Sequence, residues 1–482
     1  MKVLIASCIR QKESIFREFL QSLVNLNTEG LEIRYAFIFH NWPEGERIAR
    51  EYQFPSSVHF AHYQSANQYI ASEKGHQWTA PLIEDMITMK NSLLNFAKDN
   101  FFDYVFLVDS DLYLPPLTLQ VLLSRKRDII AEVFWTRWEP QQAPMPNAWD
   151  YDHYSFFDGS LDLYRIPSCY RVGGTGACML ISRAAIEAGV TYSRFNNVSW
   201  WGEDRYFQLH AQARGFDLWL DTTCPVFHIY RESLLGELQL WKQNELPRLP
   251  YPDIRHKSRP RLTALMIVRN EANRYLNEVL QMLNEIADDI AIVDDHSNDN
   301  TADLCETSPK TRVLRLPLSL FAMEHILREL AWRWAMQTAP DWVLAIDADE
   351  IIEHPEGIRG LMLSPDVDIW AFRIFDMWDP RHYREDNYWN GHTRYTPMLL
   401  RVFPGFPYTW DQNKHHSFRL PSNLGRFVIG KSDIRIQHLG WMRPEDRLAK
   451  YHRYKEMDPE GTWGLKEQYE SILDENPRLV EW

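Results

Sequence analysis

The hydrophobic pattern of the chain predicts alternating strands and helices. Apolar runs at residues 2–7 and 35–39 are typical of buried strands. Between them, residues 13–24 carry four apolar residues at helical spacing. These are Ile15, Phe19, Leu20 and Leu23. Strand, helix and strand in this order predict a right-handed βαβ unit within a parallel sheet.

The same pattern continues through the first half of the chain. Residues 83–98 are predicted to form a helix that leads into a strand at 104–108. Further strands are expected at 178–181, 217–220 and 225–229. Residues 134–160 have no clear period and are rich in aromatic residues, so we expect a long surface loop with a functional role.

A proline-rich stretch separates this half from a second one. Prolines at 247, 250 and 252 disfavour both a helix and a central strand in this stretch. The strand–helix–strand pattern begins again at residue 262. The sequence predicts an α/β fold with two Rossmann-like, mostly parallel domains in tandem. Their bounds are 1–245 for the first domain, 246–261 for the linker, 262–442 for the second domain and 443–482 for a C-terminal helical extension.

Charges on the extension are predicted to lie on a solvated helical face. They are Arg447, Lys450, Arg453 and Lys455.

Composition narrows the class of protein. The net charge of −14 argues against nucleic acid as the main partner. This charge is compatible with a phosphate group that is bound locally by a metal or by a helix N-terminus. Five scattered cysteines without a Cys-x-x-Cys pair indicate a reducing compartment and neither disulfides nor structural zinc. No apolar run has the length of a transmembrane segment. We therefore expect a cytoplasmic protein, with peripheral membrane contact left open.

Two predicted strands end in acids spaced two residues apart. Asp109 and Asp111 follow the strand at 104–108, and Asp347 and Asp349 follow a strand that begins at Trp342. Ligands of parallel sheets gather beyond the carboxyl ends of the strands. Carboxylate pairs at this edge suit a hard divalent cation that also binds phosphate.

Other polar residues at element ends admit two interpretations each. Glu203 and Asp204 open a predicted helix, where acids complement the helix dipole or act as a general base. His228 either completes a metal site or is an ordinary core histidine. Asp294 and Asp295 either bind a nucleotide or cap the next helix. The glycines at 173–176 either cradle phosphate or permit close backbone packing.

Both halves resemble glycosyltransferases of the GT-A fold, which use nucleotide sugars and carry an Asp-x-Asp motif at a strand end. In the second half four motifs occur in order. They are Val-Arg-Asn-Glu at 268–271, Asp-Asp-His-Ser at 294–297, Asp-Ala-Asp-Glu at 347–350 and His-Leu-Gly-Trp at 438–441. Together they resemble glycosyltransferase family 2 members of the lipopolysaccharide-core and peptide-glycosylating type. The first half resembles the fold more loosely and departs from family 2 at His40 and Asn41, where an acidic pair is expected.

The resemblance implies a role for each candidate residue. One Mn²⁺ or Mg²⁺ per domain is expected to be bound by Asp109, Asp111 and His228 in the first domain and by Asp347, Asp349 and His438 in the second. The nucleotide sugar, linked to UDP or GDP, is expected to contact Ser7, Arg10, Asn41, Asp109, Arg269, Asn270, Glu271, Asp294, Asp295, Arg328 and Asp347. Asp204, supported by Glu203, is the expected catalytic base of the first domain, and Asp411 and His416 are candidates for the base of the second.

The leading hypothesis is a bifunctional, inverting enzyme that adds two sugars to a glycan, a lipid-linked glycan or a glycoprotein. An alternative makes one half catalytic and the other an acceptor-binding module. A third account, nucleotidyl transfer, usually needs a glycine-rich loop after the first strand, and neither residues 7–10 nor residues 268–271 contain a glycine.

Overall fold

The computed structural model describes residues 1–73, 75–198, 202–245, 249–411, 418–457 and 465–482. The chain forms two compact units, Met1–Ile254 and Arg255–Trp482. The division falls within residues 246–261.

The first unit has sixteen described strands, eight of them in one central sheet. Its strands are β1 (Lys2–Ile9), β2 (Glu32–His40), β3 (Val58–Tyr63), β4 (Ile70–Ser72), β5 (Gly75–Gln77), β6 (Tyr104–Val108), β7 (Leu112–Tyr113), β8 (Ile129–Glu132), β9 (Trp135–Thr136), β10 (Met145–Pro146), β11 (Ala148–Trp149), β12 (Cys169–Val172), β13 (Gly174–Thr175), β14 (Cys178–Ser182), β15 (Leu218–Asp221) and β16 (Phe227–His228). Its helices are α1 (Glu13–Val24), α2 (Pro43–Ala49), α3 (Ala80–Asp99), α4 (Thr118–Ser124), α5 (Ser160–Leu163), α6 (Arg183–Glu187), α7 (Glu203–Gln212) and α8 (Leu235–Glu245), with a 3₁₀ turn at Glu232–Leu234.

The second unit has ten described strands, eight of them in one central sheet. Its strands are β17 (Leu262–Val268), β18 (Asp289–Asp294), β19 (Thr311–Arg315), β20 (Trp342–Ala345), β21 (Glu350–Ile352), β22 (Ile369–Asp376), β23 (His382–Arg384), β24 (Thr396–Arg401), β25 (Ile429–His438) and β26 (Leu479–Glu481). Its helices are α9 (Leu276–Ile286), α10 (Thr301–Cys305), α11 (Glu324–Met336), α12 (Gly357–Leu361), α13 (Pro444–Met457) and α14 (Lys466–Ser471), with 3₁₀ turns at Phe321–Met323, Gly391–Thr393 and Leu439–Trp441.

The two sheets share one pattern of strand directions. The first has the order β3-β2-β1-β6-β14-β8-β15-β12 and the second β19-β18-β17-β20-β24-β22-β25-β21. In both, the neighbouring pairs are parallel three times, antiparallel twice, parallel once and antiparallel once. The predicted α/β fold with two Rossmann-like, mostly parallel sheets is therefore confirmed.

Local sequence explains the central elements. Of the four apolar residues predicted to share one face of α1, three are buried in the core with the sheet, and Ile15 is buried in a smaller cluster with Tyr113, Ile229 and Leu238. Strand β6 lies between β1 and β14 and is almost wholly buried, as its continuous apolar run predicts. Its exit, at Asp109, therefore lies in the middle of the sheet edge.

Three predictions differ from the structure. Residues 134–160, expected to be an irregular loop, contain the short strands β9, β10 and β11. The predicted strand at 225–229 is reduced to the two residues of β16, which pair with β7. Lys450, expected on a solvated face, is only 9% exposed, and Arg447 donates hydrogen bonds to the carbonyls of Trp378 and Trp441. The reason is that α13 packs on the second unit, which amphipathic spacing alone does not reveal.

Replacing Phe106 by alanine should destabilise the first unit by about 3–5 kcal/mol, because Phe106 is completely buried in β6 and alanine leaves a cavity. Urea unfolding followed by fluorescence measures the change. Phe101→Ala is the matched control, since Phe101 is 67% exposed and should cost less than about 1 kcal/mol. Equal effects of the two variants would contradict this account of the core.

Candidate functional site

The carboxylates that follow β6 form the centre of the site in the first unit. The short pairing of β7 with β16 places Leu112 opposite His228. As a result, Asp111 Oδ2 lies 3.4 Å from His228 Nε2, and the other ring nitrogen of His228 lies 2.7 Å from Thr136 Oγ1. The structure thus brings together Asp111 and His228, two of the three residues that were expected to bind a metal.

A second pair of carboxylates faces the first. Glu203 and Asp204 form the first turn of α7, after Gly202, whose φ of 132° favours glycine. A side chain at Gly176 would collide with the Asp204 carboxylate, so this glycine makes room for it. The expected catalytic acids therefore lie at the same sheet edge as Asp109.

The Lys90 side chain contacts acids from both pairs. Its amine, on α3 and only 1% exposed, lies 2.7 Å from Glu203, 3.2 Å from Asp204 and 3.9 Å from Asp109. Burial alone would lower the pKa of Lys90, but the carboxylates outweigh burial and raise it well above its ordinary value. Lys90 is therefore a cation shared by three acids.

Burial and neighbouring charges together set the pKa values of these acids. Burial raises the pKa of Asp109 to about 7 and that of Asp204 to about 6, against the lowering effect of Lys90. Burial alone would also raise the pKa of Asp111, but His228 lies close enough to bring it below its ordinary value. Asp204 is thus mostly ionised at neutral pH, and a carboxylate with a pKa near 6 suits general base catalysis.

Two cavities meet at Asp109 and Asp111. The larger has a volume of about 880 Å³ and reaches Glu203, Asp204 and His228. Its walls are largely aromatic and include Tyr69, Trp78, Trp138, Trp149, Tyr154 and Tyr230. The smaller, of about 60 Å³, lies at the exit of β1 and is lined by Arg10 and His40. Tyr69 and Trp78 line both cavities.

The other residues expected to bind the nucleotide in this unit have different positions. Arg10 lines the smaller cavity, and its guanidinium lies 3.4 Å from the carbonyl oxygens of His40 and Asn41. The Asn41 amide donates to the carbonyls of Ser65 and Asn67, so it orders the chain beyond β3. Ser7 is buried and does not line either cavity.

The acids that follow β20 in the second unit have basic partners of their own. Arg419 lies 3.2 Å from Asp347 and also holds Glu350 at 2.5 Å. Asp349 lies 3.5 Å from His438, 3.7 Å from Lys450 and 3.8 Å from Arg274. Gly440 packs against this group, since a side chain there would collide with Asp349, Lys450 and His438.

These contacts determine the charge state of the group. Burial alone would raise the pKa of Asp349, yet His438, Lys450 and Arg274 together hold it well below its ordinary value. Burial would lower the pKa of His438, but Asp349 and Asp376 reverse this effect and raise it to about 9. Both ring nitrogens of His438 face carboxylates, with Asp376 at 2.7 Å. His438 is therefore held between two carboxylates.

The remaining residues expected to bind the nucleotide in the second unit are mostly engaged in the protein. Both oxygens of Asp295 accept hydrogen bonds, from Ser319 Oγ at 2.6 Å and from the Leu320 amide at 2.6 Å. Asp294 accepts from the amide and hydroxyl of Ser297 in the turn after β18, and it does not cap α10, whose N-cap is Asn300. Arg269 lies at the edge of the same group, 4.0 Å from Asp295.

Asn270 and Glu271 also have partners near this edge. Asn270, with φ of 56°, accepts from the Asn298 amide through its side chain. Burial raises the pKa of Glu271 to about 7 against Arg274, which lies 2.8 Å away. Arg328 pairs with Glu324 on its own helix at 3.1 Å.

The two candidates for the base of the second unit remain predictions. Asp411 is exposed. His416 lies outside the described residues.

The two units differ in their suitability for a divalent cation. Among the described residues, no three His, Cys, Asp or Glu side chains converge in an arrangement that holds a metal. In the first unit Asp109, Asp111 and His228 nevertheless fit one, because their oxygen and imidazole donors face the larger cavity and Lys90 is shared with Glu203 and Asp204. In the second unit Asp347, Asp349 and His438 fit one less well, since Arg419 lies beside Asp347 and both Arg274 and Lys450 lie within 4 Å of Asp349.

Sequence reasoning missed the cations of both sites: Lys90, Arg274, Arg419 and Lys450. A signal existed for Lys90, which lies within the apolar face formed by Ile83, Ile87 and Leu94 of α3. No comparable signal marks Arg419 or Lys450, because their neighbours come from distant parts of the chain.

The fold and a family match of the N-terminal part support the class that the sequence predicts, a glycosyltransferase of the GT-A type. Residues 1–139 match the model of the glycosyltransferase family 25 N-terminal domain. This match supports the class for the first unit and does not reach the second unit, for which the family 2 resemblance stays a prediction from its motifs.

Two curated relatives extend the comparison. The uncharacterized proteins Rv3786c of Mycobacterium tuberculosis and Mb3815c of Mycobacterium bovis are each 28% identical over 226 residues, which cover 44% of this chain and 54% of the relative. The chain thus spans about half the length of these relatives.

Solved structures of S. aureus TarS are also similar. The crystal structure of TarS 1-349 has 16% identity and a TM-score of 0.29, covering 44% of this chain and 69% of that one. The structure in complex with UDP-GlcNAc has 13% identity and a TM-score of 0.31, covering 47% and 58%. At these TM-scores the likeness bears on neither site nor substrate.

Replacing Lys90 by methionine should destabilise the first unit more at pH 8 than at pH 5. The folded-state pKa values of Asp109 and Asp204 lie above the ordinary value of 3.8, so their contribution to stability falls as pH rises toward about 7. Without Lys90 the ionised acids lose their cation, at a cost of roughly 3–5 kcal/mol at pH 8. Urea unfolding at the two pH values measures the difference.

Lys98→Met is the control, because Lys98 lies exposed on the same helix. A pH-independent loss of stability in the Lys90 variant would show that its amine does not compensate the acids.

Proposed function

We propose that the protein transfers sugars from nucleotide-sugar donors to hydroxyl groups of a glycan-bearing acceptor. The observation that carries the proposal is the meeting of Asp109, Asp111 and Asp204 in one large cavity at the carboxyl end of β6. In such a transfer the diphosphate leaves the anomeric carbon that the acceptor hydroxyl attacks. This cavity contains carboxylates suited to both groups. The family match of residues 1–139 supports the same class of reaction.

The donor is proposed to bind across the two cavities of the first unit. The nucleotide would lie mainly in the larger cavity, since the smaller one holds only about 60 Å³, and Arg10 and His40 at the exit of β1 would contact its edge. Asp109, Asp111 and His228 would hold a divalent ion, Mn²⁺ or Mg²⁺, against the diphosphate. When bound, that ion supplies positive charge to the departing diphosphate.

Asp204 is proposed to be the catalytic base. Its carboxylate lines the larger cavity, is mostly ionised at neutral pH and could accept the proton of an incoming hydroxyl. Glu203 and Lys90 hold it in place. Attack from the face opposite the diphosphate would invert the configuration of the anomeric carbon.

The acceptor is proposed to be a saccharide, free or attached to lipid or protein. The aromatic walls of the larger cavity support this class, because tryptophan and tyrosine combine an apolar face with a polar tip. Among the described residues, no helix is both long and apolar enough to cross a membrane. All five cysteines are free and buried, which supports the proposed reducing, cytoplasmic compartment.

The second unit is proposed to catalyse a second transfer, with Asp411 or His416 as its base. The shared strand order supports this proposal, since Asp347 and Asp349 occupy the same position after β20 as Asp109 and Asp111 after β6. The alternative is a non-catalytic module that binds acceptor. The cations beside Asp347 and Asp349 favour that alternative, because they compete with a divalent ion for both carboxylates.

A panel of UDP- and GDP-sugars with Mn²⁺ and saccharide acceptors, read by nucleoside diphosphate release and product mass, tests the function. Asp111→Asn should abolish one transfer and Asp349→Asn the other, because each change removes a carboxylate from one site only. Loss of both transfers in either variant would contradict independent sites. A normal product pattern after Asp349→Asn would favour the acceptor-binding module.

Replacing Asp204 by asparagine should lower kcat of the first transfer by about 10²–10⁴, with little change in Mn²⁺ binding. In the wild type, kcat should rise with pH through about 6, as Asp204 loses its proton, and then level off. Measuring kcat from pH 5 to pH 8 checks both statements. Asp152→Asn, at the rim of the same cavity, is the control. A rising limb that persists in Asp204→Asn would assign the base to another group.

A further inference from the structure

We infer that His40 accepts a hydrogen bond from the nucleoside part of the donor through its ring atom Nδ1, and that Ser65 and Asp85 hold the ring in the form that can do so. The inference rests on the proposed function, since it assumes that the first unit binds a nucleotide sugar. It adds the atom that recognises the nucleoside and the two residues that position this atom.

The first step is the place of His40 in the fold. His40 is the last residue of β2, the strand beside β1, and it lines the smaller cavity together with Arg10 and Tyr69. Ligands of parallel sheets gather beyond the carboxyl ends of the strands. A cavity of about 60 Å³ admits an edge of a nucleoside and not a whole one, which agrees with a nucleotide that lies mainly in the larger cavity.

The second step is the surroundings of the other ring nitrogen, Nε2. Ser65 Oγ lies 3.0 Å from it, and both the Asn41 amide nitrogen and an Asp85 oxygen lie at 3.4 Å. The Asn41 amide donates both its protons elsewhere, to the carbonyls of Ser65 and Asn67. The Ser65 hydroxyl donates its single proton to Asp85 at 2.8 Å. Ser65 Oγ can therefore only accept a proton from His40 Nε2.

The third step is the position of the ring proton. Asp85 is an acceptor for Ser65, for the Asn67 amide at 2.8 Å and for the Tyr63 hydroxyl at 3.1 Å. The hydrogen bonds thus run from His40 Nε2 to Ser65 and on to Asp85, and they place a proton on Nε2. Burial lowers the pKa of His40 below its ordinary value, although Asp85 acts in the opposite direction. The ring is neutral at neutral pH, so Nδ1 keeps its lone pair.

The fourth step is that Nδ1 is available to a ligand. Although His40 is only 4% exposed, its Nδ1 has no hydrogen-bond partner among the described residues. Nδ1 is also not one of the described side-chain atoms that are both fully enclosed and without a partner. It is therefore open to the cavity that His40 lines, where a bonded ligand would remove the cost of an unpaired acceptor.

The chemistry of the ligand follows from these positions. A lone pair on Nδ1 accepts from an N–H or O–H group and cannot donate. An ionised diphosphate has no proton to give, so the partner of Nδ1 belongs to the nucleoside. Uracil and guanine each carry a ring N–H beside a carbonyl, and ribose carries the 2′ and 3′ hydroxyls. The Arg10 guanidinium, which lines the same cavity, offers N–H donors for such a carbonyl.

The test measures nucleotide affinity of the full chain by calorimetric titration with Mn²⁺ and UDP or GDP, at the site that Asp111→Asn removes. The nucleotide that binds is compared with its analogue methylated at the ring N–H, 3-methyl-UDP or 1-methyl-GDP, and with its 2′-deoxy and 3′-deoxy analogues. We expect one analogue to bind the wild type about tenfold more weakly than its parent. The methyl analogue would identify the base as the partner of Nδ1, and a deoxy analogue would identify the ribose.

The variant His40→Phe keeps an aromatic ring without nitrogen atoms, and in it the preference for the parent nucleotide should disappear. The ratio of two dissociation constants does not depend on the folded fraction of the variant, so partial unfolding would not imitate this result. A preference that persists unchanged in His40→Phe would overturn the inference.

The variant Asp85→Ala tests the positioning of the ring. Without this acceptor the Ser65 hydroxyl can donate to Nε2, and the ring proton then moves to Nδ1. We expect the same loss of preference, and ¹⁵N NMR of the histidine-labelled chain should show Nδ1 of His40 unprotonated in the wild type and protonated in Asp85→Ala. Glu84→Ala is the matched control, because Glu84 is exposed on the same helix. A protonated Nδ1 in the wild type, or equal ratios in the two alanine variants, would overturn the role of Asp85.

The outcomes separate the inference from the proposed function. Binding of neither UDP nor GDP to the wild type would overturn the proposed function and the inference with it. Nucleotide binding that Asp111→Asn removes, with no analogue distinguished through His40, would overturn the inference and leave the function of the first unit intact.

Discussion

Compensation of buried carboxylate charge is the constraint on which both sites depend. A carboxylate that leaves water without a partner costs several kcal/mol, so each acid at the exit of a central strand needs a cation. In the first unit Lys90 is that cation for three acids at once. The register of α3 against the sheet, the glycine at 176 and the start of α7 at Glu203 all serve to bring these groups within reach of one amine.

The two units have the same sheet topology but different charged residues around their paired acids. Both sheets repeat one order of strand directions, and both place an Asp-x-Asp pair after the fourth strand of the parallel run. The first pair faces an open cavity beside Lys90 and His228. The second pair lies among arginine, lysine and histidine side chains that are themselves paired with further acids. The same strand order therefore carries different charged neighbours at the two pairs of acids.

The sequence predicted the parts that depend on local pattern. The central strands, α1 and the paired acids follow from apolar runs and from the positions where those runs end, and the structure has them there. The proximity of Asp111 and His228 was one of two open interpretations of His228, and the family resemblance favoured it. No local pattern carries it, because it depends on the two-residue pairing of β7 with β16 across more than a hundred residues.

What the sequence could not supply was the identity of the counter-ions. Lys450 lies on a helix whose spacing suits a solvated face, yet it reaches Asp349 because α13 packs beside the 3₁₀ turn at Leu439–Trp441. Tertiary packing decides which charges are buried, and local periodicity does not record it. The C-terminal extension is consequently a part of the second site. A truncation before α13 would remove the amine beside Asp349 along with the helix that carries it, and so would change the chemistry of the site as well as its packing.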